Sequence, residues 1–196
     1  MSKLTRDDLL SLEAYARQRN DFRSRVIAHK KNRQIQLGGH CRLLFEDHLT
    51  IHYQIQEMLR VERIFEEEGI EDELAAYTPL IPDGDNWKAT MLLEYPEVEE
   101  RRQALARLVG VEDRVWVGIG DMEKVFAIAD EDLERSTDAK TASVHFLRFQ
   151  LDRAMVAAVE KGAAIVFGID HDNLAIDSGP VPAAVRASLA SDLRQS

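Results

Sequence analysis

From His48 to Glu68 the chain runs about six helical turns with no breaker, and Gly69 supplies a stop. No other stretch constrains the fold as much, because a helix of that length must bury a face, and this one carries acids among its apolar residues. At the helical period Gln54 falls among Met58, Val61 and Phe65. Glu57 lies beside Val61 and Ile64, and Glu62 shares the line of Ile51, Ile55 and Met58. A carboxylate without a partner is seldom buried, since dehydrating it costs several kcal/mol or forces it to hold a proton. An arginine from another element is therefore the expected answer to Glu57. If that pair is fully buried, Glu57→Gln costs about 3–5 kcal/mol. Leu49, Ile51, Tyr53 and Ile55 also alternate, so 48–56 admits a strand; the helix is preferred because 57–68 is helical by pattern.

Around this helix the remaining elements read as follows. Thr5 with Asp8 resembles a capping box opening a helix over 6–18, and a second helix spans 21–31 with Phe22 and Val26 inward. Gln34–Leu37, the Gly38-Gly39 turn and Cys41–Phe45 make a β-hairpin. A short helix over 70–76 precedes a strand from Trp87 to Tyr95. A surface helix over 96–109 is followed by a hairpin of Val115–Ile119 with Lys124–Ala129. Thr141–Leu151 is a strand, 152–161 a helix, Ala163–Ile169 a buried strand, and Val185, Leu189 and Leu193 share one face of a last helix. Helices come early and antiparallel strands late. That order predicts an α+β fold: N-terminal helices and one long central helix packed on a mostly antiparallel sheet. A length of 196 residues suits one domain, mainly helical over 1–78 and sheet-containing over 79–196.

Composition narrows the function classes. The longest purely apolar run, Ala163–Phe167, is far too short for a membrane span, and no hydrophobic signal core follows Met1. Cys41 is the single cysteine, which excludes an internal disulfide framework and any CxxC motif and points to the cytoplasm. Net charge is −10, yet residues 1–45 carry ten Lys/Arg against four Asp/Glu. The densest basic stretch, Arg17 to Arg33 with His29 in it, invites an anion or nucleic-acid contact. The overall negative charge opposes nucleic acid and favours a basic helix lying on its own acidic fold.

Several residues have the chemistry of a site. Gln54, Glu57, Arg60 and Glu62 form one constellation, fit for acid–base work if Glu57 has a raised pKa, for a hard cation, or for a structural ion pair. Structural pairing is favoured, because buried carboxylates usually have partners for folding reasons alone. His48 and His52 have one-turn metal spacing but lack a third ligand and the Glu of a zincin. No histidine follows a Glu by three residues, so a di-iron bundle site is excluded. His145 shares a strand face with Leu147, Phe149 and Leu151 and reads as a core histidine unless Glu57 is its neighbour. Asp170 and His171 follow a buried strand, where loops often carry catalytic groups, although a plain polar loop accounts for them.

Leu43-Leu44-Phe45-Glu46-Asp47, with Leu49-Thr50-Ile51 and Tyr53 to Arg60 after it, resembles a bacterial family catalogued as domain of unknown function 3501. Ala28-His29-Lys30-Lys31, Pro79 to Gly84 and His145 to Phe149 resemble its other signature stretches, so the likeness covers nearly the whole chain. Gln54, Glu57 and Arg60 lie within it; His48 and His52 do not. The resemblance carries no activity and no cofactor. It implies, by association, rubrerythrin-like or iron–sulfur protein partners and a part in oxidative-stress defence. The expectation is an accessory or ligand-binding protein, with an acid–base or metal enzyme using Glu57, Glu62 and His145 as the alternative. Oligomeric state is not legible, a homodimer included.

Overall fold

The structure, a computed structural model, describes residues 4–193. Thr5 and Asp8 do pair, the Thr5 N–H donating to Asp8 at 2.8 Å, but they open only the 3₁₀ turn Arg6–Asp8. The first α-helix, α1, is capped by Ser11 and runs unbroken over Leu12–Lys30, where two helices are predicted. Asn20 and Asp21 lie exposed on its outer side and so need not break it, while Tyr15, Phe22 and Val26 keep one continuous inner face. The hairpin of β1 (Gln34–Leu37) and β2 (Cys41–Phe45) forms as the sequence predicts. Gly38 turns it with φ +64°, and a side chain there would meet Ile176 at 2.9 Å.

The long helix is two helices. Asp47 caps α2 (His48–Glu62) in a reciprocal box with Thr50, which settles 48–56 as helix rather than strand. Arg63 then turns left-handed at φ 57°, and α3 (Glu67–Tyr77) follows with Gly69 inside it instead of ending a helix. The reversal lets Ile64, Ile70 and Leu74 fold back onto Ile51, Ile55 and Leu59 in one cluster. It also leaves Val61 and Phe65 exposed, so the apolar line assigned to Gln54 from sequence is a surface line. The buried polar residues of α2 are Thr50, in the cap, and Gln56, which accepts from the Leu10 N–H at 2.6 Å.

Two antiparallel sheets complete the α+β fold. One has the order β1-β2-β3-β7-β6, with β3 at Asn86–Leu93, β6 at Ile128–Ala129 and β7 at Val144–Gln150. The other has the order β5-β4-β8-β9, with β4 at Val115–Ile119, β5 at Val125–Phe126, β8 at Ile165–His171 and β9 at Leu174–Pro180. The predicted strand Lys124–Ala129 splits at Ala127 and serves both sheets. Phe45, Trp87 and Phe149 from the first sheet meet Phe167 from the second at 4.9, 5.9 and 5.3 Å between ring centres. This is the main core; the helices α1, α2 and α3 bury smaller clusters of their own. The helices α4 (Val98–Arg107), α5 (Arg153–Glu160) and α6 (Ala183–Ala190) complete the chain. Among the described residues no helix is long and apolar enough to cross a membrane.

Candidate functional site

Glu57 is answered by α1. Arg19 grips both carboxylate oxygens, Nε to Oε1 at 2.7 Å and Nη2 to Oε2 at 2.9 Å; Tyr15 donates its hydroxyl at 2.6 Å and Arg60 reaches Oε2 at 3.3 Å. The Arg19 hydrogen bonds, helped by those of Tyr15 and Arg60 and opposed by burial, pull the carboxyl down to about 2. That direction is opposite to the one a general acid near neutrality needs. The Gln54 side chain makes no hydrogen bond among the described residues, and Glu62 is exposed. His48 and His52 stand 6.3 Å apart between ring centres, and His52 packs edge-on against Phe22. No third ligand converges on them among the described residues.

The other residues singled out from sequence are tied into the scaffold. His29 Nε2 lies 2.5 Å from Asp47, which in turn sits 3.3 Å from Arg33. Arg33, counted with the basic stretch, is fully buried and holds Asp192 at 2.6 Å, while Arg17, Arg23 and Arg25 are exposed. Asp170 and His171 belong to strand β8, not to a loop. Asp170 takes Lys124 Nζ at 2.8 Å, and His171 Nε2 lies 3.0 Å from the Val109 carbonyl.

Two features stand apart from this scaffolding. The first is a cleft of about 890 Å³ between the end of α3 and the outer face of β3 and β7. Tyr77, Leu80 and Phe146 give it apolar walls, and Ala75 and Ala76 leave it open. Its cations are already matched: Lys88 with Asp83 at 2.7 Å, Arg148 with Glu131 at 2.7 Å, Arg135 with Asp132 at 2.7 Å. Three cations face four acids, Asp85 being the fourth, so the cleft has no surplus positive charge.

The second feature begins at the cleft wall and runs inward. Arg135 bonds Asp130 at 3.0 Å, Asp130 meets His145 Nδ1 at 2.6 Å, and His145 Nε2 faces Thr141 Oγ1 at 2.8 Å. Thr141 donates to Glu112 at 2.9 Å, and the Ser136 hydroxyl bonds the other oxygen of Glu112. His145 lies on the inward face with Leu147 and Phe149, as its alternation requires, but Glu57 is not among its partners. Within the described residues Glu112, Asp130 and His145 are the group whose ligand-type atoms all converge, within 4.8 Å of one another.

The family profile described as "Protein of unknown function (DUF3501)" matches residues 3–193. The chain belongs to the DUF3501 family. No curated protein matches it. Among solved structures, it is similar to a protein of unknown function from Burkholderia pseudomallei K96243, with 55% identity and a TM-score of 0.94. That match covers 98% of this chain and 100% of the other. In this DUF3501 chain, Glu112, Asp130, Arg135 and Thr141 escape a reading of the sequence. They lie in turns and strand ends, where no periodicity marks them; the one available signal is Thr141 four residues before an inward-facing histidine.

Proposed function

We propose that this protein is a cytoplasmic ligand-binding protein, accessory to a redox partner, that holds a small molecule in the cleft between α3 and the β3–β7 face. The observation that supports the reading is the combination of apolar walls and charge-matched rim in a space of about 890 Å³, a size typical of small-molecule sites. Because every cation there already has a carboxylate, a polyanion such as a nucleoside triphosphate is a poor fit. A neutral or zwitterionic molecule with an apolar body suits it: the body lies on Phe146 and Leu80, and its polar ends exchange with the Arg148–Glu131 and Arg135–Asp132 pairs.

The redox partnership is what the family resemblance implies by association, and the chain's own chemistry restricts its form. Cys41 is buried and its thiol is pushed up to about 12 by that burial, so it offers no thiolate for exchange. Electrons would reside on the partner or on the bound molecule. An enzyme centred on Glu57 has less support, because Arg19 and Tyr15 occupy that carboxylate.

Native mass spectrometry of protein purified gently from its own host tests the proposal. A small molecule is expected to travel with the wild type and to be lost from Ala76→Trp, whose indole fills the cleft from an exposed position. Retention of that molecule by a folded Ala76→Trp protein would place binding elsewhere.

A further inference from the structure

Glu112 is a buried carboxylate with no arginine or lysine in ion-pair reach among the described residues. Its partners are the hydroxyls of Ser136 and Thr141, with His145 Nε2 at 3.8 Å. Asp130 lies close by, with a ligand-type oxygen within 4.8 Å of one on Glu112. Arg135 offsets only part of this negative charge, through Asp130. Acid in excess inside a fold calls for a compensating cation.

His145 is oriented to receive one. Its ring is fully buried, and the Nδ1–H is fixed on Asp130 at 2.6 Å, the carboxylate–histidine arrangement that presents the opposite nitrogen to a metal. Nε2 faces oxygen donors throughout: Thr141 Oγ1 at 2.8 Å, the Ala142 carbonyl at 3.1 Å and Glu112 Oε2 at 3.8 Å. Thr141 Oγ1 and Glu112 Oε2 are 2.9 Å apart. A circle through the three side-chain atoms has a radius of about 1.9 Å, so an ion with bonds of about 2.1 Å touches all three from just outside their plane.

We infer that Glu112, Thr141 and His145 form a site for one first-row divalent cation, with Asp130 as the residue that orients His145. One imidazole with carboxylate, hydroxyl and carbonyl oxygens suits Zn²⁺ or Mn²⁺, and with no sulfur donor in the group a soft ion is not favoured. The ion takes the Nε2 lone pair that a proton would otherwise hold, so binding weakens in acid. Ser136 and Thr141 come from the segment between β6 and β7 that covers His145. The ion therefore belongs to the folded core and enters as the chain folds. None of the three ligands lines the cleft, and the link between the two is Arg135, which bonds both Asp130 and Asp132.

Cobalt provides the test. Untagged protein, stripped with a chelator in urea and refolded with Co²⁺, is expected to develop a visible d–d band that saturates at one equivalent and is displaced by Zn²⁺. Glu112→Gln, close in size, should abolish the band, and Asp130→Asn should weaken Co²⁺ binding by about 10–100-fold. Thr141→Val gives a second volume-conserving variant in case Glu112→Gln does not refold, and it too should bind more weakly. His48→Gln, on the other paired histidines, should leave the titration unchanged. Absence of a stoichiometric band in the refolded wild type overturns the inference. So does an unaltered titration in a folded Glu112→Gln or Thr141→Val protein, or loss of the band in His48→Gln.

Discussion

Two arginine–carboxylate pairs tie this molecule together, and the same chemistry gives them opposite electrostatics. Arg19 and Glu57 join α1 to α2 near the surface, with 30% and 17% of their side chains exposed. Arg33 and Asp192 join the end of α1 to the turn after α6, with 1% and 3% exposed. At Glu57 the hydrogen bonds from Arg19 outweigh burial and pull the carboxyl down to about 2. At Asp192 burial outweighs the attraction of Arg33 and pushes the carboxyl up to about 6. Depth decides the sign, because desolvation grows with burial faster than a single partner can offset it. The deep pair needs more than its counterion: Arg33 also donates to the Phe45 and Glu46 carbonyls at 3.1 and 3.0 Å.

The sharpest way to break this comparison is to remove one half of the deep pair. Arg33→Met should cost about 3–5 kcal/mol in denaturant unfolding at neutral pH, because Asp192 is left buried without its cation. Adding Asp192→Leu to the same chain should recover most of that loss, since two apolar side chains need no desolvation. A cost under about 1 kcal/mol for Arg33→Met alone would show that Asp192 does not depend on it. The shallow pair should respond less. Glu57→Gln removes charge-assisted hydrogen bonds and should cost about 1–3 kcal/mol, below the figure expected for a fully buried pair, because water reaches part of Arg19. Equal costs for the two substitutions would erase the distinction between the pairs.

Residue patterns explain why one of these pairs was legible and the other was not. An acid among the apolar residues of α2 announces that it needs a partner and that an arginine is the natural one, but nothing local identifies Arg19, 38 residues away. Arg33 sits in a basic run that reads as surface, and only the tertiary fold brings Asp192, 159 residues away, against it. The β1–β2 hairpin was readable from alternation around Gly38-Gly39, and so was the inward direction of His145. Strand β9 was not, because its residues are at most half-buried and it ends in Ser178-Gly179-Pro180. The break after Glu62 depends on Arg63 taking a left-handed conformation that its residue type does not demand. The carboxylates around His145 come from a 3₁₀ turn and a strand end, where spacing along the chain carries no signal.

The effects of pH separate the two pairs by the direction of their slopes. Glu57 titrates lower in the folded chain than its ordinary 4.5, so its contribution is complete above that value and is lost as pH falls toward about 2. Asp192 titrates higher than its ordinary 3.8, so its contribution is complete below that value and is lost as pH rises through about 6. Each group can tilt stability by no more than about 1.4 kcal/mol per pH unit. Urea midpoints measured from pH 2 to 7, taken as differences from the wild type, isolate each contribution from the other carboxylates. The Glu57→Gln difference should change below about pH 4.5 and stay flat above it, whereas the Asp192→Asn difference should change between about 3.8 and 6. An Asp192→Asn curve parallel to the wild type across that upper window would mean that Arg33 fully compensates the buried acid, and depth would no longer set the sign.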